Sequence, residues 1–282
     1  MSGRTARRRI VRIDGGQESE RPDLLATEEP LGIRVGGEPV SLTMRTPGDD
    51  LDLAAGFLVG EGVVGSAADI RSMTICDGTR CGHAGHDDLG NVVDVELRPG
   101  LATVLRRNFL TTSACGVCGK ASIAELCVRP RWDVRADHLR LPVAGLTAMA
   151  DSLRRAQRVF ARTGGLHAAA AFSPDGGLLA IREDVGRHNA VDKLVGWALR
   201  EGRLPMHGCV LLVSGRASFE LVQKAVLAGF PVLAAVSAPS SLAADLAAEA
   251  GLTLVGFLRG GSMNVYSHRE RVLAVPAGQT AD

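Results

Sequence analysis

Apolar positions follow two patterns along the chain. Between residues 29 and 62 a period of two gives way to a helical step. Leu31-Gly-Ile-Arg-Val35 and Val40-Ser-Leu-Thr-Met44 alternate around Gly36-Gly37, which is the signature of a β-hairpin. Pro47-Gly48-Asp49-Asp50 then has the acidic, proline-bearing character of a helix start. Leu51, Leu53, Ala54, Phe57 and Leu58 supply that helix with an apolar face, and it is expected to end near Gly60-Glu-Gly62. Val92-Val-Asp-Val-Glu-Leu97 returns to strand alternation until Pro99-Gly100 breaks it. Residues 1–25 have no period and read as a mobile tail, residues 26–130 as a small mixed α/β domain, and residues 130–142 as a linker.

Residues 143–282 carry the clearer architecture. Leu146, Met149, Leu153, Ala156 and Phe160 recur at three- and four-residue steps, and Gly164-Gly165 stops the helix they predict. Ala168 to Phe172 and Leu178 to Ile181 flank the turn-forming Ser173-Pro-Asp-Gly-Gly177, a second hairpin. Helix and strand then alternate: helix 188–200, strand 209–213, helix 217–228, strand 232–236, helix 240–250, strand 252–258. Short apolar strands alternating with helices predict a parallel sheet covered on both faces, a three-layer α/β/α domain. In such sheets ligands bind outside the carboxyl ends of the strands. The polar residues gather at those ends: Glu183-Asp-Val-Gly-Arg187-His188-Asn189, Ser214-Gly215-Arg216-Ala-Ser218, Ser237-Ala-Pro-Ser-Ser241 and Arg259-Gly260-Gly261-Ser262-Met-Asn264. Each junction leading into a helix offers free N–H groups and the positive end of a dipole, so together they favour a phosphate-bearing ligand. Glu183 and Asp184 beside His188 form a candidate acid–base pair; the plainer alternative has Asp184 capping the helix and His188 packing. Asp192 and Lys193 read as a solvated helix face.

Composition narrows the classes. Apolar residues at 46%, charged residues at 22% and a net charge of +1 describe an ordinary globular chain, with no call for a strongly charged partner. At 4% aromatic content, stacking platforms for single-stranded nucleic acid are scarce, and the cluster Arg4, Arg7, Arg8, Arg9 and Arg12 reads as a solvated tail. No apolar run is long enough to span a membrane and no secretory signal is visible, so the expected location is cytoplasmic. There the six cysteines should be thiols, ligands or catalysts, with Cys127 and Cys209 as packing residues.

Two cysteines stand apart. Ser113-Ala-Cys115-Gly-Val-Cys118-Gly-Lys120 places two thiols among flexible residues and beside a cation, at or just before a helix start, conditions that favour thiolate. The spacing fits a redox dithiol, half of a zinc site, a sulfur-carrying nucleophile with a neighbour, or two inert thiols. Cys76, Cys81, His83 and His86 fit no common zinc spacing and read as a polar loop with no metal.

The Cys115 stretch, Glu183-Asp-Val-Gly-Arg-His-Asn-Ala-Val-Asp-Lys193 and Ser214-Gly-Arg216 together resemble the FdhD/NarQ family of formate dehydrogenase accessory sulfurtransferases. Glu28-Glu-Pro-Leu31, Thr46-Pro-Gly-Asp-Asp50, Thr163-Gly-Gly-Leu-His-Ala168, Ser237-Ala-Pro239 and Asn264-Val-Tyr266 extend the likeness over about residues 28–267. The resemblance implies a sulfur carrier that receives a persulfide from a cysteine desulfurase and passes it to the molybdenum cofactor of formate dehydrogenase. It puts the persulfide on Cys115, with Cys118 as its neighbour, and the bis-guanine-dinucleotide cofactor near Phe257, Leu258, Arg259, Gly260, Gly261 and Ser262. It also implies a homodimer and a C-terminal domain similar to cytidine deaminases. A zinc deaminase itself needs Pro-Cys-x-x-Cys at a helix start of the sheet domain, whereas here the pair precedes that domain and follows Ala114. A non-enzymatic alternative is a chaperone that binds the cofactor while the thiols are structural.

Overall fold

The computed structural model describes residues 3–76, 90–101 and 130–273. The chain opens with β1 (Thr5–Asp14) and β2 (Gln17–Ala26), an antiparallel ribbon turning at Gly15-Gly16, where φ is 55° and 84°. A mobile tail is the expectation for these residues. The run Arg7-Arg8-Arg9 hides the alternation, because away from its base the ribbon is exposed on both faces and its side chains need no polarity pattern.

The expected hairpin follows as β3 (Glu29–Val35) and β4 (Glu38–Arg45), then α1 (Asp50–Gly60), β5 (Ile70–Ile75) and β6 (Val92–Leu97). These strands form one sheet in the order β4-β3-β6-β5. Residues 130–142 are anchored rather than a free linker. Val134, Leu139 and Leu141 are buried, and Arg271 donates to the carbonyl of Val134 at 2.8 Å. The two-residue strands β7 (Leu141–Pro142) and β14 (Val272–Leu273) pair there.

The predicted helix splits into α2 (Val143–Ala156) and α3 (Phe160–Thr163), because the Glu183 carboxylate accepts from the amides of Val159 (3.0 Å) and Phe160 (2.8 Å) and starts a new turn. Then come β8 (His167–Phe172), β9 (Leu178–Asp184), α4 (Arg187–Arg200), β10 (Val210–Val213), α5 (Phe219–Leu227), β11 (Val232–Ala235), α6 (Ser241–Ala250), β12 (Thr253–Arg259) and β13 (Ser262–Ser267). The sheet order is β13-β12-β11-β10-β8-β9. Only β10, β11 and β12 are mutually parallel; the expected hairpin β8–β9 makes one flank antiparallel, and the antiparallel β8–β10 and β12–β13 pairings correct the expectation of a parallel sheet elsewhere. Arg259 to Asn264 is therefore no terminal loop: Gly260-Gly261 turns the chain into a further strand.

The three layers are present. Ala169, Ala171, Leu211, Val213, Leu233 and Ala235 face a core shared with α4, α5 and α6, while Ala168, Ala170, Phe172, Val210, Leu212, Val232 and Ala234 face α2. The first of these cores also holds Leu31, Ile33, Leu53, Leu58 and Val93, so the N-terminal half packs on the same apolar body as the sheet domain. The joint is the crossing of α1 and α4. A Cβ on Gly56 would lie 1.8 Å from the carbonyl oxygen of Asp192, and one on Gly196 1.8 Å from that of Asp52, so only glycine permits this approach.

Gly56→Ala or Gly196→Ala must push the two helices apart. Each is expected to lower unfolding free energy in urea by about 2 kcal/mol or more, whereas Gly165→Ala, with its nearest atom at 3.6 Å, should change it little.

Candidate functional site at the carboxyl edge of the sheet

β9 and β10 each run antiparallel to β8, so β9, β10, β11 and β12 end at one edge, and α4, α5 and α6 start there. Backbone contacts stitch these ends into a row. The amide of Phe257 donates to the carbonyl of Ser237 at 3.1 Å, that of Ala217 to Ala238 at 3.2 Å, and that of Ser240 to Ala217 at 3.0 Å. At the other end of the row, a Cβ on Gly215 would meet the His167 ring at 3.3 Å and the Cβ of Arg187 at 4.0 Å. The row thus runs from Phe257 through the β11 and β10 loops to His167 and the first turn of α4.

Within the stretch 183–193 the side chains divide into two jobs. Asp184 is completely buried: its Oδ2 pairs with Lys193 Nζ at 2.6 Å and accepts from the Thr46 amide at 3.1 Å. Its Oδ1 accepts from the Gly186 amide at 2.8 Å and from Asn189 Nδ2 at 3.2 Å. Lys193 Nζ also donates to the Thr46 carbonyl at 2.7 Å, and Asn189 Nδ2 to the Met44 carbonyl at 2.7 Å. The Asn189 side chain, a candidate ligand contact, is thereby committed to β4. Neither Lys193 nor Asp192 is solvated, since Asp192 pairs with Lys224 at 2.6 Å in the α4–α5 contact. The burial of these groups corrects the reading of a solvated helix face.

Arg187 and His188 are left pointing away from this clamp. The acidic partner of His188 is Glu220 on α5, with Nε2 to Oε2 at 2.8 Å, and not Glu183 or Asp184. Ser218 Oγ lies 3.3 Å from the same ring nitrogen. A hydrolytic triad would need serine and carboxylate on opposite nitrogens, so this arrangement orients the imidazole and does not activate Ser218. Glu220 escaped the sequence reading, though an acidic residue in the first turn of a predicted helix was the available signal.

Two buried side-chain polar atoms among the described residues lack a hydrogen-bond partner, and both lie here: Arg187 Nε and Glu220 Oε1. Leaving such atoms unpaired costs about 1–3 kcal/mol each, so their presence points to a ligand that offers an acceptor to one and a donor to the other. Neither Gly186 nor Ser218 caps its helix with a side chain, so the first amides of α4 and α5 lack that partner. Burial first, then the charges of Arg187, His188 and Arg216, hold the His167 imidazole below its ordinary pKa, against the opposing pull of Asp184. A neutral His167 adds no positive charge to this edge.

The remaining candidates are spread along the row. Ser214 Oγ accepts from the Ala168 amide at 2.9 Å and fixes the start of β8. Phe257 sits at a bulge in β12 with φ of 53°, unusual for a side chain of its size. Leu258 turns into the α2-side core, so only its backbone is available to a ligand. Arg259, Gly260, Gly261 and Ser262 form the exposed β12–β13 turn, two strands away from β10. Tyr266 is partly exposed on β13, with its ring against Gly256.

Cys115 and Cys118 lie outside the described residues, as do Cys81, His83, His86 and Cys127. Cys76 is buried at the end of β5 and is disulfide-bonded, where a thiol is the sequence expectation. Cys209 packs against the core, and burial pushes its thiol pKa up, as befits an inert packing residue. No group of three or more histidine, cysteine or carboxylate residues among the described residues is arranged to hold a metal ion. The starts of α4 and α5 present arginine, histidine, serine and glutamate, not the thiols of a zinc deaminase.

An NMR titration of the imidazoles is expected to place His167 below the ordinary value of 6.5, with an upward move in Arg187→Ala. Because the folded chain binds this proton more weakly than the unfolded one, His167 lowers stability as pH falls below that value. No movement in Arg187→Ala would contradict the electrostatic neighbourhood described.

Comparison with known proteins agrees with the family resemblance. The family model described as FdhD/NarQ matches residues 26–273. "Sulfur carrier protein FdhD" of Streptomyces avermitilis is 58% identical over 272 residues, 95% of each chain. The protein of the same name from Nocardia farcinica is 56% identical over 283 residues, 99% of each. A crystal structure titled as a putative formate dehydrogenase accessory protein from Desulfotalea psychrophila superposes with a TM-score of 0.75 at 25% identity, covering 96% of this chain and 100% of that one. With matches of this length and identity, the chain belongs to the FdhD/NarQ family.

Proposed function

We propose that this chain is a sulfur carrier in formate dehydrogenase maturation. In the cytoplasm, and as a homodimer, it takes persulfide sulfur from a cysteine desulfurase and passes it to the bis-guanine-dinucleotide molybdenum cofactor. The observation that carries the reading is near-full-length identity of 56–58% to relatives named as sulfur carriers. No helix among the described residues is long and apolar enough to cross a membrane.

The chemistry assigned to the thiols is transpersulfidation. The Cys115 thiolate attacks the outer sulfur of the donor's persulfide, the donor's cysteine leaves as thiolate, and Cys115 holds the sulfur as a persulfide. Attack of the Cys118 thiolate on the inner sulfur of that persulfide releases hydrosulfide and forms a Cys115–Cys118 disulfide. The two thiols thereby supply the two electrons, and an external dithiol restores them.

The carboxyl edge is assigned to the substrate cofactor. Its pyrophosphates suit the uncapped starts of α4 and α5 and the side chains of Arg187 and Arg216. Its guanines carry adjacent acceptor and donor atoms, the pattern that Arg187 Nε and Glu220 Oε1 leave unanswered. The turn from Phe257 to Ser262, with Ser214, Gly215, His188 and Asn189 as further or supporting positions, completes the assignment.

Intact-protein mass spectrometry after incubation with a cysteine desulfurase and cysteine tests the reading. A reducible gain of one sulfur atom is expected in the wild type and in Cys118→Ala, and none in Cys115→Ala. If Cys115→Ala still activates formate dehydrogenase, the chain is a cofactor chaperone and not a sulfur carrier.

A further inference from the structure

On the face of the sheet opposite α4 and α5, an open groove of about 530 Å³ runs between the last turn of α2 and strand β9. Its wall carries Arg155 and Arg158, and its floor is aliphatic, formed by Ala156, Val159, Leu178 and Ile181. Arg155 and Arg158 are exposed, and among the described residues neither has an acidic partner. Glu183, the carboxylate that reaches the groove, is buried and already accepts two backbone amides, and Arg4 at the rim is paired with Asp49. The positive charge of the groove is thus uncompensated from within, in a chain whose 32 basic and 31 acidic residues otherwise balance.

Among the described residues β9 is the last strand of its sheet, and no strand there pairs with its outer edge. Leu178 on that strand remains 38% exposed. An extended segment laid along such an edge sends alternate side chains to one face. Those on the α2 face enter this groove, where carboxylates meet the guanidinium groups and apolar neighbours meet the floor.

We infer that this groove docks an extended, acidic segment of a partner protein, at a surface separate from the cofactor edge. Nucleic acid suits it less well, because the floor offers aliphatic side chains and no ring on which a base would stack. A small anion such as phosphate would satisfy the arginines and leave the floor uncovered.

Fluorescence anisotropy on the full chain tests the inference, with a labelled peptide of about eight residues that alternates glutamate and valine. The peptide is expected to bind, to weaken as salt rises, and to lose at least about fivefold in affinity in Arg155→Glu/Arg158→Glu. Arg155→Gln/Arg158→Gln should lose less, and Arg71→Glu, an exposed arginine on β5, should lose nothing. Both groove arginines are exposed, so the melting temperature should not move. The inference is overturned if the glutamate peptide does not bind, if the groove variants bind it as the wild type does, or if a lysine–valine peptide binds equally well. Displacement by inorganic phosphate, together with equal binding of a glutamate–serine peptide, would make it a small-anion site and overturn the docking assignment.

Discussion

A buried ion pair, Asp184 with Lys193, holds the two halves of this chain in register. Taking both charges out of water is costly, and further hydrogen bonds to both ions offset part of that cost. The Thr46 amide, the Gly186 amide and the Asn189 amide group donate to Asp184, and the Thr46 carbonyl accepts from Lys193. Thr46 sits at the junction of β4 and α1, so the same contacts that neutralise the pair bolt the N-terminal sheet to the start of α4. The glycine crossing of α1 and α4 brings the backbones close enough for this, and the shared apolar core fills the remainder.

The consequence for function is directional. Once Asp184, Asn189 and Lys193 are anchored inward, the intervening Arg187 and His188 are carried on a first turn that opens on the carboxyl edge. Glu220 from the next helix fixes the His188 ring and keeps one oxygen unused. The edge is thus built from side chains whose positions are set by buried neighbours. The basic groove beside β9 lies on the α2 face of the sheet and reaches Glu183, near the strand end from which α4 starts.

Much of this was legible in the residues. The strands from 168 to 258 were visible because they are short, apolar and punctuated by glycine and serine, and the carboxyl-edge residues follow from counting strand ends. The hairpin β8–β9 was legible, but the antiparallel β12–β13 flank was not, because pairing direction depends on what a turn does and Gly260-Gly261 reads equally well as a loop. The ribbon of β1 and β2 was hidden by its arginines. Asp192 and Lys193 were misread because a charged residue pointing to a partner on another element looks, in sequence, like one pointing to water. His188 and Glu220 lie on different helices, and only the fold brings them together. The Cys115 stretch shows the converse: two cysteines among glycines left four readings open, and only the family resemblance singled out a sulfur carrier.

The claim that the clamp aims Arg187 at a guanine nucleotide is tested most directly by calorimetric titration of guanosine diphosphate, with adenosine diphosphate as the control. The account predicts saturable binding of the guanine nucleotide alone, weakened by about tenfold or more in Arg187→Ala with an unchanged melting temperature. Equal binding of the two nucleotides, or undiminished binding in Arg187→Ala, would contradict it.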